Sequence, residues 1–154
     1  MNIMFLDIDG VLVTERYIEK QIKRGESFKK EARNHFDPEC MRVIREIITK
    51  HNCKVVITST WRTDYPDDNL WKIIINNFKR YNIDKEIIGI TNIDEKSRGE
   101  QIKDYLNKHK CKKFIIIDDD NDMGDLENHL ILCNAKYGIN EYKKEIDEIL
   151  KRRV

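Results

Sequence analysis

The sequence predicts an α/β fold built on a five-stranded parallel sheet, and three observations carry that expectation. Short apolar runs alternate with helical patterns along the chain, the arrangement of βαβ units. The runs are continuous and rich in β-branched residues rather than alternating, as strands covered on both faces require. Acidic and hydroxyl residues collect directly after three of the runs, where an open parallel sheet presents its ligand-binding groups.

The first expected strand is Ile3 to Leu6, and a polar, charged stretch follows from Thr14 to Phe36. Asp37-Pro38-Glu39 reads as a helix start, with Asp37 as cap and Pro38 in the first helical position. Met41, Ile44, Ile47 and Ile48 give that helix an apolar face. Lys54 to Ile57 is the second expected strand. Leu70, Ile73, Ile74 and Phe78 share one side of a helical pattern from Asn69. Glu86 to Ile90 is a short third strand, and Ser97 to His109 a helix with Ile102, Tyr105 and Leu106 inward. Lys113 to Ile117 and His129 to Cys133 supply strands four and five. A closing helix is expected from Asn140, as its cap, to Lys151, packed through Tyr142, Ile146, Ile149 and Leu150. With no repeat and no linker composition, residues 1–154 read as one domain.

Charge is high but balanced, with 29 Lys and Arg against 28 Asp and Glu. A net charge of +1 offers no global field for nucleic acid or a membrane, so any basic surface must be local. Cys40, Cys53, Cys111 and Cys133 lack metal-ligand spacing and read as buried thiols of a reducing cytoplasm. Asp7 and Asp9 interrupt the opening apolar run, unlike a signal peptide, and no stretch approaches the ~20 apolar residues that span a bilayer. A soluble, cytoplasmic protein without a membrane partner is expected.

Asp7-Ile8-Asp9 leaves the first strand and Gly10 follows, permitting a turn that other residues resist. In a continued strand the two carboxylates share a face. A calcium loop starting at Asp7 would need Glu at its twelfth position, where Ile18 stands. Asp118-Asp119-Asp120 ends the fourth strand, and three adjacent like charges are costly without a cation. Oxygen ligands with no nearby His or Cys suit Mg²⁺. Thr58, Ser59 and Thr60 offer hydroxyl and backbone N–H donors to phosphate oxygens at the end of the second strand. Lys96 could neutralise a phosphate and Asp7 together.

The set and order of these residues resemble the haloacid dehalogenase (HAD) superfamily. Asp7-Ile8-Asp9-Gly10-Val11-Leu12 is similar to its first motif, which implies Asp7 as nucleophile and Asp9 as general acid/base. The second motif is placed at Ser59, with Thr58 as the alternative; the third at Lys96, with Arg98 competing. Ile115 to Asp119 resembles the fourth motif. The resemblance implies a HAD-like Rossmannoid three-layer sandwich, and Mg²⁺ held by the Asp7 carboxylate, the Asp9 carbonyl and Asp119, with Asp118 close by. Phe36-Asp37-Pro38-Glu39, Thr58-Ser59-Thr60-Trp61-Arg62, Arg98-Gly99-Glu100-Gln101-Ile102 and the triple Asp look like a compact HAD family that includes domains of Swiss Army Knife RNA repair proteins. The implied activity is phosphomonoester hydrolysis through an aspartyl-phosphate.

The gaps that hold cap domains in such enzymes are short here, leaving room for a flap over about 14–36 and no cap domain. Uncapped relatives tend to act on macromolecules. From Glu15 to Phe36 seven basic residues (Arg16, Lys20, Lys23, Arg24, Lys29, Lys30, Arg33) face four acidic ones, a local charge of +3. A phosphorylated substrate is expected, with nucleic-acid ends or nucleotides as candidates, gripped by Thr58, Thr60, Arg62 and Arg98. Trp61 is open to two readings, stacking on a base or packing in the core. Protein dephosphorylation and a catalytically idle binding domain are the alternatives; the intact Asp7 and Asp9 argue against the second.

Overall fold

The computed structural model describes residues 1–25, 29–63, 65 and 69–151, with the backbone alone at 29 and 30. Five strands, β1 (Asn2–Leu6), β2 (Cys53–Ile57), β3 (Ile87–Ile90), β4 (Lys113–Asp118) and β5 (Leu130–Leu132), form one sheet. The order is β3-β2-β1-β4-β5 and every pairing is parallel. Six helices accompany them among the described residues: α1 (Glu15–Lys23), α2 (Lys29–Ala32), α3 (Pro38–His51), α4 (Asn69–Lys79), α5 (Arg98–Lys108) and α6 (Lys143–Lys151).

The alternating side chains of the central strands enter two separate cores. Met4, Leu6, Val55, Ile57, Ile115 and Ile117 pack with residues of α3, α4 and α6, among them Ile44, Ile74 and Ile146. Ile3, Phe5, Val56 and Ile116 pack with Ile102 and Tyr105 of α5 and with Met123. Both faces are apolar, which is why the strands show no polar alternation in sequence. The result is the expected three-layer Rossmannoid arrangement, and no cap domain is inserted among the described residues.

Helix α3 starts as its sequence predicts. Asp37 accepts from the Glu39 N–H, Pro38 opens the helix, and Asn52 closes it in the left-handed conformation (φ 49°). The same buried Asp37 carboxylate accepts from the Thr14 hydroxyl at 2.7 Å and from Arg16 at 2.6 Å. Thr14 in turn caps α1, so the flap helix is fastened to the N-terminus of α3. The closing helix differs from expectation. Gly138–Tyr142 forms a 3-10 turn, α6 begins at Lys143, and the Asn140 amide donates to Glu39 rather than capping a helix. No helix among the described residues is long and apolar enough to cross a membrane.

Candidate active site

Strand register brings the polar residues to one rim. Leu6 is level with Ile57 and Ile117, so Asp7, Thr58 and Asp118 emerge side by side. The ladder continues one step beyond β1 and β2: the Asp7 N–H donates to the Ile117 carbonyl and the Thr58 N–H to the Leu6 carbonyl, both at 3.0 Å. Beyond Asp7 the chain folds back tightly, with the N–H groups of Leu12 and Val13 both bonded to the Ile8 carbonyl. Gly10 makes this possible with φ of 77°, and a Cβ there would lie 2.2 Å from Asp119 Oδ2. Asp119 therefore leans over a position that has to be bare.

Carboxylate oxygens of Asp7, Asp118 and Asp119 lie within 4.8 Å of one another. Asp7 and Asp118 are buried and Asp119 is exposed. Burial pushes the Asp7 carboxyl up to about 8, and the neighbouring Asp118 adds to this while Arg98 opposes it. Asp119 is raised too, again chiefly by burial. Such a cluster holds protons tightly or exchanges them for a cation. Hard oxygen donors with no sulfur or imidazole among them fit Mg²⁺.

The cation beside this cluster is Arg98. Its Nη1 lies 2.7 Å from Asp118 Oδ2 and 3.4 Å from Asp7 Oδ1. Burial acts to lower the guanidinium's pKa, but the Asp7 and Asp118 carboxylates more than offset it. Arg98 sits in the first turn of α5, which Ser97 caps by accepting from the Glu100 N–H. Lys96 is placed elsewhere: its ammonium pairs with Asp104 at 2.9 Å, on the rim of a cleft of about 300 Å³ that Thr60 and Arg98 also line. Of the two candidates for the third motif, the structure brings Arg98 to Asp7. Lys96 precedes the helix cap and points down its outer side.

Arg62 lines the same cleft, but its donors are all taken up within the protein. It is buried, and its five N–H donors have five acceptors: the carbonyls of Thr58, Ser59, Thr91 and Asn92 and the side-chain oxygen of Gln101, at 2.7–3.1 Å. It ties the ends of β2 and β3 to α5. Burial and the nearby Arg98 lower its pKa.

The two hydroxyls after β2 differ. Ser59 Oγ accepts from the Trp61 N–H at 3.1 Å, capping the 3-10 turn Thr60–Arg62. Thr58 Oγ1 is buried with no hydrogen-bond partner among the described residues, and so is Thr91 Oγ1 at the end of β3. Thr60 is exposed.

Asp9 is partly exposed and held from two sides. Trp61 Nε1 donates to Oδ2 at 2.9 Å and Arg33 Nη2 to Oδ1 at 2.8 Å. The Trp61 ring is buried against Phe36, centroids 5.8 Å apart and edge-on, which decides between its two readings in favour of the core. The sequence showed neither partner of Asp9: Arg33 was one basic residue among seven, and Trp61 carried no sign of its indole donor's target. Among the other flap cations, Arg16 is bound to Asp37 and Glu39 and Lys20 and Lys23 are exposed. Glu26 and the side chains of Lys29 and Lys30 lie outside the described residues.

No curated protein and no solved structure matches the chain. A family model described as the HAD domain in Swiss Army Knife RNA repair proteins matches residues 3–143. With that match covering nearly all of the chain, the protein belongs to this family of HAD domains.

Proposed function

We propose that this HAD domain is a Mg²⁺-dependent phosphomonoesterase acting through an aspartyl-phosphate on Asp7. The observation that carries the reading is the meeting of Asp7, Asp118 and Asp119 at the carboxyl ends of β1 and β4 with Arg98 alongside. Bound there, Mg²⁺ would offset the repulsion among the carboxylates and the charge on phosphoryl oxygens. Asp7, Asp118 and Asp119 would hold it.

In the first step an Asp7 carboxylate oxygen forms a bond to phosphorus as the bond to the leaving oxygen breaks. That oxygen takes a proton from Asp9. In the second step a water attacks the acyl-phosphate, its proton returns to Asp9, and Asp7 is released with inorganic phosphate. Arg98 faces both Asp7 and the incoming phosphate oxygens as a fixed positive charge. Thr58, next to Asp7 and with a hydroxyl that has no partner among the described residues, supplies a donor to phosphate in place of Ser59, whose oxygen caps a turn.

Nucleic-acid ends are the favoured substrates. The site has no cap among the described residues, and the family carries an association with RNA repair. The test is a screen of purified protein, with Mg²⁺ and with chelator, against p-nitrophenyl phosphate, nucleotides and 3′- and 5′-phosphorylated oligonucleotides. Metal-dependent phosphate release that vanishes in Asp7→Asn supports the proposal. Activity retained in Asp7→Asn or in chelator refutes it.

A further inference from the structure

Among the described residues of the flap Arg33 is the one that reaches the site, and the chain spends two buried amides on placing it. Gln21 Nε2 donates to the Ala32 carbonyl at 3.1 Å. Asn77 Nδ2 donates to the Asn34 carbonyl at 3.0 Å, and its Oδ1 accepts from the Phe36 N–H at 3.1 Å. Gln21 and Asn77 are 2% and 5% exposed. The backbone on both sides of Arg33 is thus pinned from the protein interior, while the Arg33 side chain stays 50% exposed. A side chain serving only as a surface ion pair would not call for such anchoring, since exposed pairs contribute little.

The position of its guanidinium follows from its contact. Arg33 touches the Oδ1 of Asp9, and in the reaction proposed above Asp9 hands a proton to the leaving oxygen. The guanidinium therefore stands beside the leaving group and not beside the phosphoryl group, which falls to Arg98. Asp9 is its one ion-pair partner among the described residues, and most of its five donors are available to a second acceptor. A planar fork of donors next to a leaving group matches phosphate or phosphodiester oxygens.

We infer that Arg33 is a specificity residue that grips a second anionic group on the leaving-group side, so that the substrates are phosphomonoesters with a neighbouring phosphodiester, as at a phosphorylated nucleic-acid end. This rests on the phosphomonoesterase reading above. On substrate binding the guanidinium shifts from Asp9 to the neighbouring diester, which leaves Asp9 free to face the leaving oxygen.

The experiment compares two dinucleotides carrying the same terminal phosphate, one joined by an ordinary phosphodiester and one by an uncharged methylphosphonate. Wild-type protein, Arg33→Ala and Arg33→Lys are assayed with Mg²⁺ for kcat/KM on each. For the wild type the charged linkage should win by about tenfold, the scale of one charge-assisted hydrogen bond. In Arg33→Ala the ratio should fall to near one, and Arg33→Lys should restore part of it. An equal loss on both substrates in Arg33→Ala, with the ratio kept, would show that Arg33 only positions Asp9 and would overturn the inference. So would a wild-type ratio of one. Hydrolysis of p-nitrophenyl phosphate by the wild type, run alongside, separates failure of this inference from failure of the phosphatase reading. Unchanged far-ultraviolet circular dichroism excludes unfolding as the cause of a loss.

Discussion

Replacing Asp7 by Asn should stabilise the metal-free protein, by an amount that grows with pH. The Asp7 carboxyl is pushed from 3.8 to about 8, first by burial and then by Asp118. Between those values the folded state keeps a proton that the unfolded chain has released. The native state thus binds more protons, and stability falls as pH rises through this window. At pH 7 the interval above the unfolded value is about 3 pH units, which at 1.36 kcal/mol each gives at most about 4 kcal/mol of destabilisation. For a chain of this size 1 kcal/mol moves Tm by roughly 2–4 °C. Thermal melts of both proteins in EDTA at pH 5, 6, 7 and 8 should therefore diverge by several degrees toward pH 8, Asp7→Asn being the more stable. Saturating Mg²⁺ should close the gap by stabilising the wild type. Parallel Tm profiles of the two proteins from pH 5 to 8 without metal would show that Asp7 is not held in its protonated form, and the electrostatic account of the site would fail.

Gly10→Ala should weaken Mg²⁺ binding and turnover by tenfold or more, because its Cβ would fall 2.2 Å from Asp119 Oδ2 at a backbone φ of 77°; a metal titration of activity reads this directly. Arg62→Ala strips the partner from four carbonyls and the Gln101 side chain, and should cost about 3–5 kcal/mol in urea unfolding. Arg98→Ala should lower kcat by about 10² or more, as for loss of a donor facing transition-state charge, whereas Lys96→Ala should change it by no more than a few-fold; the reverse order would return the third motif to Lys96. Thr58→Val should reduce kcat/KM about tenfold, while Ser59→Ala should show mainly as a loss of about 1 kcal/mol of stability from its cap.

The sheet was legible because its strands carry unbroken apolar runs, and the acidic rim because Asp7 and Asp118 follow two of those runs directly. Helix α3 could be read to its first residue from Asp37 and Pro38. What the sequence hid depended on long side chains. Lys96 and Arg98 are two residues apart on either side of the Ser97 cap, and only the direction each side chain takes there separates a surface pair with Asp104 from a contact with Asp7. Arg62 looked like a substrate ligand because a basic residue beside a phosphate motif is indistinguishable, in one dimension, from one that binds backbone. Asn140 resembled a helix cap, but Gly138 turns the chain first, with φ of 65° against the Val11 carbonyl. The partners of Asp9 were beyond reach, being 24 and 52 residues away along the chain.

The five-fold attachment of Arg62 also bears on how the proposed metal site would fill and empty. Its acceptors are four backbone carbonyls and one amide oxygen, none of which can take up a proton in the physiological range. These hydrogen bonds thus gain and lose no proton of their own when Asp7 and Asp119 change charge, although the Arg62 guanidinium feels the Asp7 carboxylate. Acid, chelation and metal loading would all act on the carboxylates while the surrounding backbone keeps one shape. A site arranged this way can be emptied and refilled without refolding its walls, and its dipoles are already oriented when the cation and phosphate arrive.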